Sequence, residues 1–155
     1  MAIRTKGTHL YVIDPTDNSV VRIGCVTSID GISAPRQTIT NQCLEDDEVT
    51  SDPGPTEPGQ ASFEIKFDTA TDSHMTVYEL WKDSVVTQIA VGLGDGTAPP
   101  TITDGDFVFP DTRSWIAFPG WVVDVPFSIA LNENVTTTVP VQMAAAHVVI
   151  PKEPE

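Results

Sequence analysis

Alternation of apolar and polar positions dominates the chain. Residues 9–13 (HLYVI) read as a strand that stops at the turn run Asp14-Pro15-Thr16-Asp17-Asn18-Ser19. Residues 20–29 are β-branched and apolar, Asp30-Gly31 is a turn dipeptide, and residues 36–43 (RQTITNQC) alternate as the returning partner strand. Phe63, Ile65 and Phe67 alternate with Ser62, Glu64 and Lys66, which is another strand. Only residues 72–84 carry a helical period: Asp72 caps the first turn, and Met75, Tyr78 and Trp81 recur every three residues, with Val77 and Val85 widening the stripe. Residues 85–93 form a strand closed by Gly92-Leu93-Gly94-Asp95-Gly96. Residues 107–109 and 114–125 follow, the latter broken at Pro119-Gly120, and residues 127–131 pair with 135–143 across Asn132-Glu133-Asn134. Residues 97–113 read as a long polar loop, and residues 147–155 as a flexible tail after a domain spanning 1–146.

The pattern fails at residues 44–60 (LEDDEVTSDPGPTEPGQ). This stretch carries Glu45, Asp46, Asp47, Glu48, Asp52 and Glu57, three prolines and no Lys or Arg. Proline removes backbone donors and like charges repel, so the segment is expected to form no element of its own. A loop this long inside a β-domain is usually functional, and here it reads as a contact arm.

The last hairpin sorts its faces sharply. Phe127, Ile129 and Leu131 share one side with Val135, Thr137, Val139 and Val141; Ser128, Ala130, Thr136, Thr138 and Gln142 share the other. Thr38, Thr40 and Gln42 repeat this uncharged polar face on the earlier hairpin. Such a face suits an ordinary solvated sheet, and it also suits the wall of a wide, wet barrel.

Composition narrows function. The 155 residues hold 22 acids against 8 bases, a formal charge of −14, and 40% of them are hydrophobic. That describes one globular domain, and it opposes binding to phosphate backbones or anionic membranes, both of which need clustered Lys and Arg. No apolar run has the length of a membrane span, and the first residues lack a signal-peptide pattern. Cys25 and Cys43 are not in a CxxC, and a turn at residues 30–31 sets Cys25 opposite residue 36 or 37, so two unlinked, part-buried thiols are expected.

No catalytic constellation stands out. His9, His74 and His147 are scattered without partners at metal-ligand spacing, so no metal or cofactor is expected. Asp104-Gly105-Asp106 and Glu45 to Glu48 offer calcium-type oxygens but match no EF-hand loop. Residues 92–96 lack the lysine and helix of a phosphate loop. A carboxylate-pair hydrolase has no motif behind it. Trp81, Trp115 and Trp121 leave a second reading open: a carbohydrate-binding or adhesin-like sandwich with an aromatic platform, which needs Trp115 and Trp121 exposed and coplanar.

The order of local strings resembles the lambda-like tail tube proteins of long-tailed, non-contractile bacteriophages. Lys6-Gly7-Thr8 before Leu10-Tyr11-Val12, Cys43-Leu44-Glu45-Asp46-Asp47, Ser62-Phe63, Leu80-Trp81, residues 86–93 before Gly94-Asp95-Gly96, Gly120-Trp121-Val122 and Thr136-Thr137-Thr138 follow the family order over roughly residues 5–143. Some relatives carry an immunoglobulin-like domain with no counterpart here, and residues 97–114 are longer than the family order leads one to expect.

The resemblance implies a mainly β, two-sheet sandwich or barrel with one flanking helix, a non-enzymatic virion protein, and rings of six copies stacked into a tube. Two lumen hairpins per copy, residues 20–43 and 115–143, would close a barrel of about 24 strands. Thr38, Thr40, Gln42, Thr136, Thr138 and Gln142 are then candidates to face the lumen. Glu45, Asp46, Asp47 and Glu48 would contact the next ring, with Arg4, Lys6, Arg36 and Lys82 as candidate basic partners. The implied partners are the chain itself and the tape measure, tail terminator and tail tip proteins. DNA would pass without specific binding, no membrane is involved, and assembly would take place in the host cytoplasm.

Overall fold

A computed structural model describes residues 2–45 and 47–153. In chain order the elements are β1 (His9–Asp14), β2 (Ser19–Ile23), β3 (Val26–Asp30), β4 (Arg36–Asn41), β5 (Thr50–Thr56), β6 (Gln60–Lys66), α1 (Asp72–Asp83), β7 (Thr87–Gly92), β8 (Thr101–Thr103), β9 (Asp106–Val108), β10 (Trp115–Val122), β11 (Phe127–Ser128), β12 (Thr136–Met143) and β13 (Val148–Ile150). The fold is mainly β with one helix, as the alternation predicts.

The main sheet runs β2-β1-β7-β10-β12-β6-β3 among the described residues, with β11 beside β12 and β13 beside β10. Its two halves join through only three residue pairs, Gly120↔Met143, Trp121↔Gln142 and Val122↔Val141. Leu10, Val12, Ile89 and Val91 of one half share a core cluster with Phe63, Ile65, Val139 and Val141 of the other. The two layers of the sandwich are therefore one sheet bent over its own core. Each fully buried Val, Leu, Ile or Phe contributes about 1.5–3 kcal/mol, so this shared cluster dominates the stability.

The helix lies where the pattern predicts but presents a different face. Ser73, His74, Val77 and Leu80 are buried, whereas Met75 and Tyr78 are half-buried and Trp81 is exposed. Two polar anchors set this rotation. Ser73 Oγ accepts the Gly24 N–H at 3.3 Å; His74 Nδ1 accepts the Asp68 N–H at 3.0 Å, leaving Nε2 to donate to Gly24 O at 2.7 Å. A count of apolar positions does not register such anchors. Thr71, not Asp72, is the N-cap; Asp72 sits in the first turn, where its charge favours the helix dipole. Ser84 ends the helix in the left-handed conformation and donates its N–H to Trp81 O.

The expected strand over residues 20–29 breaks at Cys25, whose φ is 55°. β3 then pairs with β6, not with β4: Ile29 faces Phe63 and Val26 faces Ile65. This pairing buries apolar side chains, whereas every residue of β4 is exposed. Gly31 (φ 79°) is not a hairpin turn but a close approach, since a Cβ there would lie 2.7 Å from Gln60 O. The expected loop over residues 44–60 also contains a strand, β5, which pairs with β4 from Asn41↔Thr50 to Arg36↔Thr56. The last hairpin is shorter than expected, with pairing limited to Phe127↔Thr137 and Ser128↔Thr136.

Residues 97–113 and the tail cover the outer face of one half-sheet. β8 and β9 pair across Asp104 (φ 54°) and Gly105 (φ 83°), the conformation that favours Asp-Gly. Phe107 and Phe109 pack over buried Tyr11, Ala90 and Trp115. The tail expected to be frayed includes β13, which pairs with β10 at residues 115–117. Ser114 donates its N–H (3.0 Å) and hydroxyl (2.6 Å) to the Asp95 carboxylate, and Lys152 N–H donates to Ser114 Oγ. The Ser114 hydroxyl first, and then its N–H, hold the Asp95 carboxyl below the usual carboxylate range.

Arg113 is the hub of this region and is fully buried. Nε donates to Leu93 O at 2.7 Å; Nη2 donates to Gly7 O and Gly92 O, both at 2.7 Å; Nη1 donates to Ala98 O at 3.3 Å. Its guanidinium lies 5.2 Å from the Trp115 ring centroid. Gly92 permits this approach, because a Cβ there would lie 2.6 Å from Arg113 Cζ. Nη2 also lies 3.2 Å from His9 Nδ1, which accepts from it.

Arg113→Met should cost about 3–5 kcal/mol in urea unfolding, because several buried carbonyls lose their donor. Thr137 is buried, and its hydroxyl has no partner among the described residues; Thr137→Val should therefore raise stability by about 1 kcal/mol in the same assay. Burial first, then Arg22 and Arg113, push the His9 imidazole below its ordinary value of 6.5. The unfolded chain thus takes up this proton first on acidification, and stability falls as pH drops below 6.5 toward the folded value. His9→Gln should lack this component, so its stability should decline less than the wild type's over that window in pH-dependent thermal melts.

Candidate assembly surfaces

The half-sheet β11-β12-β6-β3 is antiparallel throughout, so its strands alternate in direction. One face enters the core through Thr137, Val139 and Val141 of β12, Phe63 and Ile65 of β6, and Val26 and Ile29 of β3. The other face is polar. Registers set Thr136 beside Lys66, Thr138 beside Glu64, Pro140 beside Ser62 and Gln142 beside Gln60, with Ser28 next to Glu64. The predicted residues Thr136, Thr138 and Gln142 therefore share one surface. Gln142 is also tied down, its Nε2 donating to Gly59 O and Met143 O at 3.2 Å.

Thr38 and Thr40 lie elsewhere. β3 runs on into β4 and β5 runs on into β6 as one kinked ribbon, bridged by Gly59 N–H to Ser33 O (3.0 Å) and Glu57 N–H to Pro35 O (2.9 Å). The outer part, β4 and β5, carries no residue of either core cluster and projects as an arm. Thr38 and Thr40 are on this arm; Gln42 is past the end of β4, in its tip. Pro53 and Pro55 sit in β5, where an edge strand tolerates their missing donors.

The tip holds Glu45, Asp47 and Glu48, all exposed; Asp46 lies outside the described residues. Of the candidate basic partners, Arg36 belongs to the same arm and donates to Gly54 O at 2.8 Å. Arg4 and Lys6 are exposed just ahead of β1, and Lys82 is exposed in the last turn of the helix. Cys25 and Cys43 are both exposed, not part-buried.

Sequence reasoning missed Gln60, Ser62 and Glu64 as members of the polar face, because that needs the β6–β12 register. It also missed Arg113, for which an arginine next to a strand gives no signal of burial. The aromatic platform does not form: Trp115 is fully buried, and Trp121 instead shares a shallow surface with Trp81, Val86 and Val123. No group of three or more His, Cys, Asp or Glu suited to a metal ion occurs among the described residues.

Known proteins agree with this architecture. The chain is 34% identical to structural protein 3 of Pseudomonas phage PAJU2, over 97% of this chain and 94% of that protein. Its fold is similar to the SPP1 tail tube (TM-score 0.71, 6% identity, covering 99% of this chain and 81% of that one). It is also similar to a chain from the tail of an empty gene transfer agent particle, reconstructed with C6 symmetry (TM-score 0.66, 14% identity, covering 95% and 98%). The family model described as phage tail tube, lambda-like, matches residues 1–153. The chain belongs to the lambda-like phage tail tube family and is a structural protein of the phage tail.

Proposed function

We propose that six copies close into a ring, that rings stack into a tube, and that the β11-β12-β6-β3 half-sheets line the conduit through which DNA is ejected. The observation that carries this reading is an antiparallel half-sheet of four strands with one core face, one polar face and open edges at β11 and β3. Because the strand number is even, its two edge strands run in opposite directions. A copy rotated about an axis along the strands then sets its β11 antiparallel to β3 of the first. Six copies, in keeping with the C6 symmetry of the gene transfer agent tail, give 4 × 6 = 24 strands. Closure removes edges that otherwise invite uncontrolled pairing.

The polar face suits a conduit. Thr136, Thr138, Gln142, Gln60 and Ser62 offer hydrogen bonds without charge, and Lys66 and Glu64 are of opposite sign. Six copies carry a formal 6 × −14 = −84. A wall without clustered bases gives a sliding phosphate backbone few places to bind, which keeps the barrier to passage low. The role is non-enzymatic, with tape measure, terminator and tip proteins as partners, and assembly in the host cytoplasm.

The arm is the stacking element. A lone two-stranded ribbon is marginal in water, so its projection from the body supports a role completed by another subunit. Glu45, Asp47 and Glu48 at its tip would meet Arg4, Lys6 or Lys82 of the next ring. Arg36 serves the arm itself.

Purified wild-type protein should form hollow stacked rings in negative-stain micrographs across a concentration series. Glu45, Asp47 and Glu48 changed together to Ala should leave the thermal melt within about 0.5 kcal/mol of wild type, since all three are exposed, while long tubes are lost. Normal tubes from that variant would remove the tip from the stacking contact.

A further inference from the structure

The main sheet ends at β3, and the core is open there. A cavity of about 480 Å³ lies under this edge, lined by Val26, Ile29 and Ile32 from the β3 side, by Val91, Leu93 and Ile116 from the facing half-sheet, and at one side by Thr5 and Thr8 of the N-terminal segment. Thr27 and Ser28 line it too, so it reaches around the free edge of the strand. No charged side chain lines it.

The same chain carries an apolar strip of which only the first residue is packed, Phe127 meeting Phe67 edge-on at 4.9 Å between ring centroids. Phe127, Ile129 and Leu131 alternate along the sequence, yet pairing stops at Ser128, and Ile129 and Leu131 are 79% and 90% exposed. Phe127 faces Thr137, whose side chain points into the core. Strand alternation continued past Ser128 would put Ile129 and Leu131 on that same core side. Residues 127–131 hold no charge, which matters between copies that each carry a formal −14.

We propose that Ile129 and Leu131 of one subunit enter the cavity under β3 of the next, so that each subunit's core is completed by its neighbour. The proposal rests on the ring reading above and supplies what holds adjacent copies together. β11 extends to residue 131 against the open β3 edge, and its core-side residues meet Val26, Ile29 and Ile32. Donor strip and acceptor cavity are different surfaces of one chain, so the contact is head-to-tail and propagates around a ring. The strand pattern in residues 129–131, unused in the single subunit, acquires its partner on assembly.

Two variants test this. Ile129→Asp with Leu131→Asp should keep the wild-type melt, because both positions are exposed, and should reduce sedimentable tube by at least about tenfold. In a Cys25→Ser, Cys43→Ser background, Leu131→Cys with Ile32→Cys should yield, on oxidation of tubes, a ladder of covalent multimers. Mixing the two single-cysteine variants should stop that ladder at dimers. Tubes that form normally from the double Asp variant, or that give no ladder, would overturn the plug while leaving the ring reading intact. Tubes in which an Ile3→Cys, Ile32→Cys pair joins within one chain instead would also overturn it, because the chain's own N-terminal segment would then fill the cavity. Failure of wild-type protein to form any ring would overturn both.

Discussion

An antiparallel sheet that ends on two free edges of opposite direction cannot be finished by the chain that makes it. Every unpaired strand presents a row of backbone donors and acceptors, and an exposed row pairs with whatever reaches it. Here one half of the bent sheet ends at β3 and at the two-residue strand β11, while its polar face stays outside the core. The alternation of four strands leaves rotation-related copies as the natural continuation. The ring closure, polar inner wall and completion of the core under β3 proposed above all rest on that one constraint.

The other half of the sheet is built to be rigid. Its outer face is covered by Phe107 and Phe109, β13 extends the sheet beside β10, and Arg113 gathers carbonyls from the N-terminal segment, the end of β7 and the covering segment into one donor fork. A buried cation is costly unless every donor is used. Asp95, Ser114 and Lys152 tie the last residues to the same place. A firm outer half fits the proposal that assembly falls to the β11-β12-β6-β3 half-sheet and to the arm. This division fits the proposed tube, in which each copy must present the same edges.

Strands with strict alternation were legible, among them residues 63–67 and 135–143, because period two records a half-buried sheet directly; residues 9–13, buried on both faces, were legible as an apolar run ended by a turn signal. The polar face of β12 followed from the same signal. Pairing was harder to read. Residues 36–43 alternate well, but the partner of β3 is decided by Phe63 and Ile65, which bury Val26 and Ile29, and not by proximity across Asp30-Gly31. β5 was hidden by its prolines and acids, since an arm in water needs no apolar face. The helix face was misplaced because Ser73 and His74 dock it by hydrogen bonds. Arg113 gave no signal at all, because a buried arginine is recognised only by the carbonyls around it.

The most direct test of the account is a cryo-EM reconstruction of assembled tubes at a resolution that separates strands. The account predicts a closed lumen barrel in which β11 of one copy runs antiparallel beside β3 of the next, with Thr138 and Gln142 facing the channel. A tube whose channel is lined by the β2-β1-β7 half, or in which β3 keeps a free edge, would contradict it.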